Sequence, residues 1–420
     1  MRKTEITVTL ISVLLITLLL FASVPSLNAV AEAPPPQWSR TYTRMLNYSI
    51  NGFPVSAKDG GRFVIQTTDG GYAIFAELDD YHFRVDNRTS MIIKTDSSGE
   101  VQWEKGNSII TSNLRSIFQT KDSGFLLAGG NQLLKLDAEG NGQWSKNFSS
   151  YFVAIQASDG GYVLAGFIPG YDVVSMLLKT DEKGNLLWNK TFSASSGWSS
   201  AYGVVETNDG GYAVAGYRDG AWFAVTDSDG NLKLSQNFPD IEGRFTSIAK
   251  TEEGGFILVG GTSPGGINMQ GQAFIVKVDS EGKMQWNHAY NNPPYEGFWF
   301  SSVAQTGDGE FIGAGYSALF KIDCSGNLEW YLTSATDVTD VLGSTDSVIA
   351  AEDGGFVVVG SKKSSVWLAK FAPESTTIPD NTFPQPGETS PFSTTCIVVA
   401  VIIVAVVGLG LLVYFKKRKR

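Results

Sequence analysis

The sequence contains few of the residues that enzymes use for nucleophilic and metal chemistry. Among its 420 residues there are only 2 Cys and 2 His, and charged residues make up 18%. Cys324 and Cys396 cannot build the disulfide framework of a small secreted scaffold. His82 and His288 lie far apart, without a Gly-x-Ser-x-Gly turn or partners at metal-ligand spacing. We therefore predict no catalytic residues, no metal site and no cofactor.

Basic residues are also scarce. The chain has 32 Lys and Arg against 42 Asp and Glu, so its net charge is -10. Its first five residues contribute +1 and its last five contribute +5, which leaves about -16 for the middle. An acidic surface repels phosphate backbones, so nucleic acid is not an expected partner. An aromatic content of 12% excludes a disordered tail protein, and the length allows a large core.

The N-terminal segment has the pattern of a secretory signal. A basic start at Arg2 and Lys3 precedes an apolar run over residues 6–24 and small residues near Ala29 and Ala33. This order predicts a signal peptide over residues 1–33, cleaved after Ala29 or Ala33. Because the apolar run is long, an uncleaved anchor is the alternative.

The C-terminal segment has the pattern of a membrane anchor. Residues 396–415 carry no charge and span about 30 Å as a helix, the thickness of the hydrocarbon core. The basic tail 416–420 follows directly, which places the C-terminus in the cytoplasm and the preceding domain outside the cell. Residues 373–395 are rich in Pro, Ser and Thr and predict an extended stalk.

The middle of the chain is a repeat. One half-motif joins an acidic residue to Gly, Gly and an aromatic residue, as in TNDGGYAVAG, at a variable spacing that indicates loops inserted into a constant unit. Its acidic residues are Asp69, Asp122, Asp159, Asp209, Glu253, Asp308 and Asp353.

A second half-motif, as in KTDEKGNLLW, occurs six times. Leu234 replaces its closing Trp once, and a further Trp stands alone before the first repeat. Packing between neighbouring units is the predicted role of these residues, since a ligand site would not recur in every repeat. The structural tryptophans are Trp38, Trp103, Trp144, Trp188, Trp286 and Trp330.

Each unit predicts four short antiparallel strands. Asp-Gly turns supply the positive φ of tight hairpins, and one small sheet cannot bury both of its faces alone. Seven units therefore predict an all-β, seven-bladed β-propeller over residues 34–372. The strand at Trp38 is expected to complete the last blade beside strands near Val348, Val358 and Trp367, which hides the exposed edge of an open ring. A linear solenoid is the alternative, but it gives no reason to split one unit between the chain ends.

The second half-motif resembles the repeat of pyrroloquinoline-quinone-type propellers, the quinoprotein alcohol dehydrogenase-like superfamily. KLDAEGNGQW and KTDEKGNLLW are the copies that carry this resemblance, which extends from about Trp38 to Phe371. The quinone enzymes of that superfamily generally have eight blades, charged cofactor ligands, a bound Ca²⁺ and, in many cases, an adjacent cysteine pair. This chain has seven units and no such pair. The resemblance therefore implies a secreted, non-enzymatic propeller.

The Asp-rich turns allow a calcium interpretation, above all at Asp227 and Asp229. Calcium needs six to eight oxygen ligands, and no late Glu follows this turn. Backbone geometry alone accounts for Asp, Gly and Asn in a hairpin turn, so we favour the turn.

The long loops that differ between repeats are the best candidates for a ligand site. In a propeller, the loops between strands two and three share a face with those that join successive blades, and exposed aromatics beside acids suit sugars or proteins. In the alternative interpretation these aromatics fold back and fill the ring. The candidate residues are Tyr81, Tyr171, Trp198, Tyr202, Tyr295, Phe298 and Trp299.

Four Asn-x-Ser/Thr sequons, which we predict on loops or strand ends, are candidates for glycosylation. They begin at Asn47, Asn87, Asn147 and Asn189.

The favoured function is a membrane-anchored extracellular module that binds or scaffolds a protein or polysaccharide through its loop face. One alternative is a secreted hydrolase or lyase for carbohydrates, in which two loop carboxylates about 5–10 Å apart would act together. The other is a structural component of the cell surface. The available loop carboxylates are Asp79, Asp80, Asp86, Glu296, Asp337 and Asp340.

Overall fold

A computed structural model describes residues 33–43, 49–50, 53–54, 58–79, 89–107, 114–195, 197–262, 272–290, 299–315, 318–333, 344–363 and 365–373. The predicted signal peptide, the membrane helix and the basic tail lie outside these ranges, as does the predicted stalk beyond residue 373. No helix within the described ranges is long and apolar enough to cross a membrane.

The described residues form strands joined by turns. The strands are β1 (Trp38–Tyr42), β2 (Ser49–Ile50), β3 (Phe53–Pro54), β4 (Lys58–Gln66), β5 (Tyr72–Asp79), β6 (Thr89–Thr95), β7 (Val101–Asn107), β8 (Leu114–Gln119), β9 (Phe125–Gly129), β10 (Gln132–Leu136), β11 (Gly142–Asn147), β12 (Tyr151–Gln156), β13 (Tyr162–Ile168), β14 (Val174–Thr180), β15 (Leu186–Phe192), β16 (Ser199–Glu206), β17 (Tyr212–Arg218), β18 (Ala221–Thr226), β19 (Leu232–Asn237), β20 (Arg244–Lys250), β21 (Phe256–Gly261), β22 (Ala273–Val278), β23 (Met284–Tyr290), β24 (Ser302–Gln305), β25 (Phe311–Gly315), β26 (Ala318–Ile322), β27 (Leu328–Thr333), β28 (Ser344–Ala350), β29 (Phe356–Lys362) and β30 (Ser365–Phe371).

Seven four-stranded antiparallel sheets make up the blades. Blades 1 to 6 are β4–β7, β8–β11, β12–β15, β16–β19, β20–β23 and β24–β27, each in sequence order across the sheet. Blade 7 has the order β1-β30-β29-β28, so its outer strand comes from the N-terminal end of the domain. Trp38 pairs with Lys370 and Tyr42 with Val366 in this closing strand. The prediction of a seven-bladed propeller closed by the strand at Trp38 is therefore confirmed.

The first strand of every blade is the innermost. β4, β8, β12, β16, β20, β24 and β28 each contact the first strands of both neighbouring blades, and β28 returns to β4. The ring is thus closed around a central channel, which the seven first strands line. The described residues from 33 to 373 all belong to one compact unit that contains every blade.

Apolar side chains hold neighbouring blades together. The second and third strands of a blade read as continuous apolar runs because both of their faces are covered, as in β9 and β18. Seven buried clusters fill the seven interfaces between blades, including the one that joins blade 7 to blade 1 through Val64, Ile74, Val359 and Leu368. Ring closure therefore buries an apolar cluster between blades 7 and 1, as every other interface does.

Candidate functional site

The strand order gives the propeller two different faces. Hairpins between strands one and two and between strands three and four lie at one end of the blades, which we call the turn face. Connections between strands two and three and between successive blades lie at the other end, which we call the loop face.

Structural side chains occupy the turn face. In blade 2 the buried Lys135 donates hydrogen bonds from Nζ to both oxygens of Asp122, at 3.0 and 2.9 Å, and to the Leu136 carbonyl at 2.8 Å. Asp122 also accepts from the Gly124 N–H and the Thr120 hydroxyl. Partial burial would raise the pKa of Asp122, but these hydrogen bonds outweigh it and lower the pKa to about 2.

The same ion pair recurs around the ring and explains the Lys that opens the second half-motif. Blade 4 is the exception, because Val225 stands at the Lys position and Asp209 pairs instead with Lys233 from the fourth strand, at 2.6 Å. This role was not predicted from the sequence, although the recurring Lys was its signal. The six pairs built from the third strand are Lys94–Asp69, Lys135–Asp122, Lys179–Asp159, Lys277–Glu253, Lys321–Asp308 and Lys370–Asp353.

The turns between strands three and four use their Asp residues internally. Asp227 accepts hydrogen bonds from the N–H groups of Asp229 and Asn231 and from the Asn231 side chain. The same arrangement recurs at Asp137 and Asp181. The described residues contain no group of three or more His, Cys, Asp or Glu side chains that could hold a metal ion. These carboxylates therefore act on the backbone of their own turns.

The repeated tryptophans pack from the fourth strand of one blade onto the next blade. Trp103 contacts Phe125 at 5.8 Å between ring centres, and Trp144 contacts Tyr162 at 6.2 Å. Leu234, which replaces the Trp in blade 4, packs with Phe223 in the same interface cluster. The remaining contacts across blades are Trp38–Tyr72, Trp188–Tyr212, Trp286–Phe311 and Trp330–Phe356.

Glycine in the following turn makes room for these rings. Gly230 has a φ of +76°, and a Cβ there would lie 2.6 Å from the ring of Trp188. Both the backbone conformation and the close approach therefore require glycine at this position.

On the loop face, Trp198 is held in an exposed position between blades 3 and 4. Trp198 bridges to Val173, whose N–H donates to the Gly197 carbonyl at 3.0 Å. Ser195 donates from its N–H and hydroxyl to Asp219, at 2.9 and 2.7 Å. The side chain of Trp198 is 58% exposed, and Tyr171 in the adjoining loop is fully exposed. A hydrogen-bonded segment thus presents Trp198 to solvent, and the adjoining loop presents Tyr171.

The other loop-face candidates have different surroundings. Trp299 is partly exposed and packs over blade 5, where a Cβ on Gly261 would lie 2.3 Å from the Trp299 Cβ. Phe300, a neighbouring loop aromatic in the sequence, is buried in the interface between blades 5 and 6. Tyr81, Tyr295 and Phe298 lie outside the described residues.

Tyr202 lies in the channel and not in a loop, which corrects its predicted position. It is the extra residue of a β-bulge in β16, the innermost strand of blade 4. Arg115 of blade 2 and Arg244 of blade 5 both approach its ring, with guanidinium carbons 6.0 and 5.4 Å from the ring centre. Since blade 3 lies between blades 2 and 4, Arg115 can reach Tyr202 only within the channel.

Bulges recur at the same place in other first strands. The bulged residue stands seven positions before the acidic turn residue in five blades, and it is Arg62, Arg115, Tyr202, Thr246 or Asp346. A bulge aims its extra side chain away from the ladder, here toward the channel. These positions differ between blades, whereas the framework repeats, and sequence analysis missed them because a bulge has no sequence signature of its own here.

Arg62 and Asp346 neutralise each other at the junction of blades 1 and 7. Arg62 lies 3.0 Å from Asp346 and 3.1 Å from Glu77. Burial raises the pKa of Asp346, and the charge of Arg62 opposes this effect. Both carboxylates are thus committed to one guanidinium.

Two predicted glycosylation sites fall on outer strands. Asn147 ends β11, whereas Asn189 lies within β15 and not in a loop or at a strand end; both are exposed. Asn47 and Asn87 lie in segments that the structure does not describe.

Of the His and Cys residues, the structure describes His288 and Cys324, and the His288 ring lies beside Gly326 in the turn that carries Cys324. His288 packs against Trp286 in β23, and Cys324 is an exposed turn residue. His82 lies outside the ranges given above, as do Asp80, Asp86, Glu296, Asp337, Asp340 and the side chain of Asp79.

Comparisons with known proteins find similar structures but no sequence relatives. The sequence matches no protein-family model and no curated protein. A Bacteroides caccae protein of unknown function is 16% identical with a TM-score of 0.41, over 61% of this chain and 93% of that one. BamB from Moraxella catarrhalis is 9% identical with a TM-score of 0.44, over 74% and 98% of the two chains. Sqt1 from Chaetomium thermophilum, solved with the N-terminus of ribosomal protein L10, is 12% identical with a TM-score of 0.48, over 72% and 83%. At this distance these proteins carry no information about ligand or activity.

Proposed function

We propose that this propeller is a non-enzymatic binding or scaffolding module, anchored to the outer surface of a membrane, that holds a polysaccharide or protein on its loop face. The observation that carries the proposal is the exposed pair Trp198 and Tyr171 on a backbone fixed by hydrogen bonds. These two large side chains are exposed to water in the free protein. A bound partner would cover their apolar area, and removal of this area from water favours binding.

The contrast between the two faces supports this assignment. On the turn face, Lys forms an ion pair with Asp and Trp packs over Gly, and these contacts recur from blade to blade. The recurring contacts explain why these residues repeat in the sequence. Trp198 and Tyr171 occur in one place only and contribute to none of the seven interface clusters. A framework role therefore does not explain them.

The anchoring part of the proposal rests on the sequence of the two ends, 1–33 and 396–420. They predict a signal peptide, a stalk over residues 373–395 and a membrane helix over residues 396–415.

The test uses a fragment of residues 33–373, which contains all seven blades and both strands that close the ring. Binding to a glycan array and to cell-wall polysaccharides is measured, followed by crosslinking on intact cells. Trp198→Ala with Tyr171→Ala should weaken binding at least tenfold, as expected for aromatic hot spots. Leu187→Ala is the matched control, since Leu187 is 59% exposed but lies on an outer strand.

Three results would contradict the proposal. Equal loss of binding in the Leu187 control would remove the loop face from recognition. Release of oligosaccharides during incubation would establish the carbohydrate-active enzyme instead. Absence of any glycan or protein partner would favour a structural component of the cell surface.

A further inference from the structure

Two arginines in the central channel, Arg115 and Arg244, share the ring of Tyr202. Among the residues that the structure describes, no carboxylate pairs with either guanidinium group. Burial lowers the pKa of Arg115, and the neighbouring charge of Arg244 lowers it further. Two partly buried like charges repel each other, which destabilises the folded protein. No described ion pair within the ring offsets this repulsion.

The same channel shows how the fold treats an arginine that it uses structurally. Arg62, at the equivalent bulge of blade 1, is neutralised by Asp346 and Glu77. The channel therefore has a sector at blades 7 and 1, where carboxylates pair with the arginine, and a cationic sector that blades 2, 4 and 5 form. In a chain with a net charge of -10, an unneutralised cationic sector runs against the overall composition.

The position of blade 3 leaves this sector open. Its first strand has no bulge, and Phe152, at the equivalent position, is buried in the interface with blade 2. No side chain from that position enters the channel, so Arg115 reaches Tyr202 directly. Arg244 is the first residue of β20 and is exposed, so the cluster is accessible from the loop face.

We propose that Arg115, Tyr202 and Arg244 form a binding site in the channel for an oxyanionic group, a carboxylate or a phosphate, that enters from the loop face. Guanidinium groups bind such oxyanions through paired N–H donors. Both guanidinium carbons lie within 6.0 Å of the centre of the Tyr202 ring, and the Tyr202 hydroxyl is a further donor. The site is independent of the exposed aromatics Trp198 and Tyr171.

Titration calorimetry at low ionic strength tests the site in the fragment of residues 33–373. The probes are sodium glucuronate for a sugar carboxylate, inorganic phosphate for a free oxyanion, and methyl glucoside as the neutral control. At least one anion should bind with a dissociation constant of 1 mM or tighter, whereas methyl glucoside should not bind. A preference for glucuronate identifies a carboxylate ligand, and a preference for phosphate identifies a phosphate ligand.

Variants decide whether the arginine pair is responsible. Arg244→Gln changes an exposed residue and should weaken anion binding at least tenfold, and Arg115→Lys should weaken it about threefold because the fork geometry is lost. Arg40→Gln removes the same charge from the outer strand β1 and should leave the affinity within twofold. The proposal is overturned if neither anion binds, or if Arg40→Gln loses as much affinity as Arg244→Gln.

Discussion

Replacing Lys135 with Met should destabilise the propeller by about 2–3 kcal/mol, far more than the same change at Lys233. Lys135 is 5% exposed, and its Nζ donates to Asp122 and to the Leu136 carbonyl. Met keeps the buried alkyl chain, so the change removes the donors alone. Leaving a buried carbonyl without its partner costs about 1–3 kcal/mol, and the half-exposed Asp122 adds about 1 kcal/mol or less.

Lys233 provides the matched control. It pairs with Asp209 at 2.6 Å, but it is 47% exposed, so Lys233→Met should cost about 0–1 kcal/mol. Urea unfolding of residues 33–373, followed by tryptophan fluorescence and circular dichroism, measures both free energies of unfolding. With a slope of about 3 kcal/mol per M for a domain of this size, the Lys135 variant should shift the midpoint by about 0.7–1 M.

A rescue variant makes the comparison sharper. Gln143 occupies in blade 2 the bulge position that Lys233 occupies in blade 4, opposite Leu136 and Thr226 respectively. The double change Lys135→Val with Gln143→Lys rebuilds the arrangement of blade 4 and should recover at least half of the lost stability. Equal costs for Lys135→Met and Lys233→Met would refute the reasoning that burial of the ammonium makes this pair important.

Three further predictions concern the ring. Trp144→Ala should destabilise the fragment by about 2–4 kcal/mol in urea unfolding, because it empties part of the interface between blades 2 and 3, whereas Leu187→Ala should change stability by less than about 1 kcal/mol. The pKa of Asp69 and of Asp122 is about 2 in the folded state and about 3.9 in the unfolded state, so their contribution to stability is complete above pH 4 and is lost as the pH falls toward 2; Asp122→Asn should flatten this part of an acid-unfolding curve. Deleting residues 33–43 removes β1 and exposes the edge of β30, so the shortened fragment should aggregate in size-exclusion chromatography while the intact fragment stays monomeric.

Much of the architecture could be predicted because local sequence patterns determine its turns and strands. Asp-Gly turns depend on the conformations of a few adjacent residues, and apolar runs of five or six residues depend on burial of one strand. Counting these units predicted seven blades, and the isolated segment at Trp38 predicted how the ring closes; the structure confirms both.

The surroundings of the individual candidate residues were harder to predict from the sequence than the architecture was. Tyr202 was predicted in a loop but lies in a bulge of β16, and Asn189 was predicted on a loop or at a strand end but lies within β15. Strict alternation along the chain places the residues of these strands wrongly, because the extra residue of a bulge shifts the phase of the alternation by one.

Sequence alone determined the repeat and the turn chemistry, since each depends on residues close together in the chain. It also predicted the strand that joins the two ends of the domain, because one half-motif stands alone at Trp38 and the last unit lacks its closing strand. Tertiary structure alone decided which residues meet across the channel. Arg115, Tyr202 and Arg244 belong to three blades, and only closure of the ring brings them together. Arg62 finds carboxylates at the junction of blades 1 and 7, whereas no described carboxylate reaches Arg115 or Arg244. That difference follows from the position of each blade around the axis, which no local pattern records.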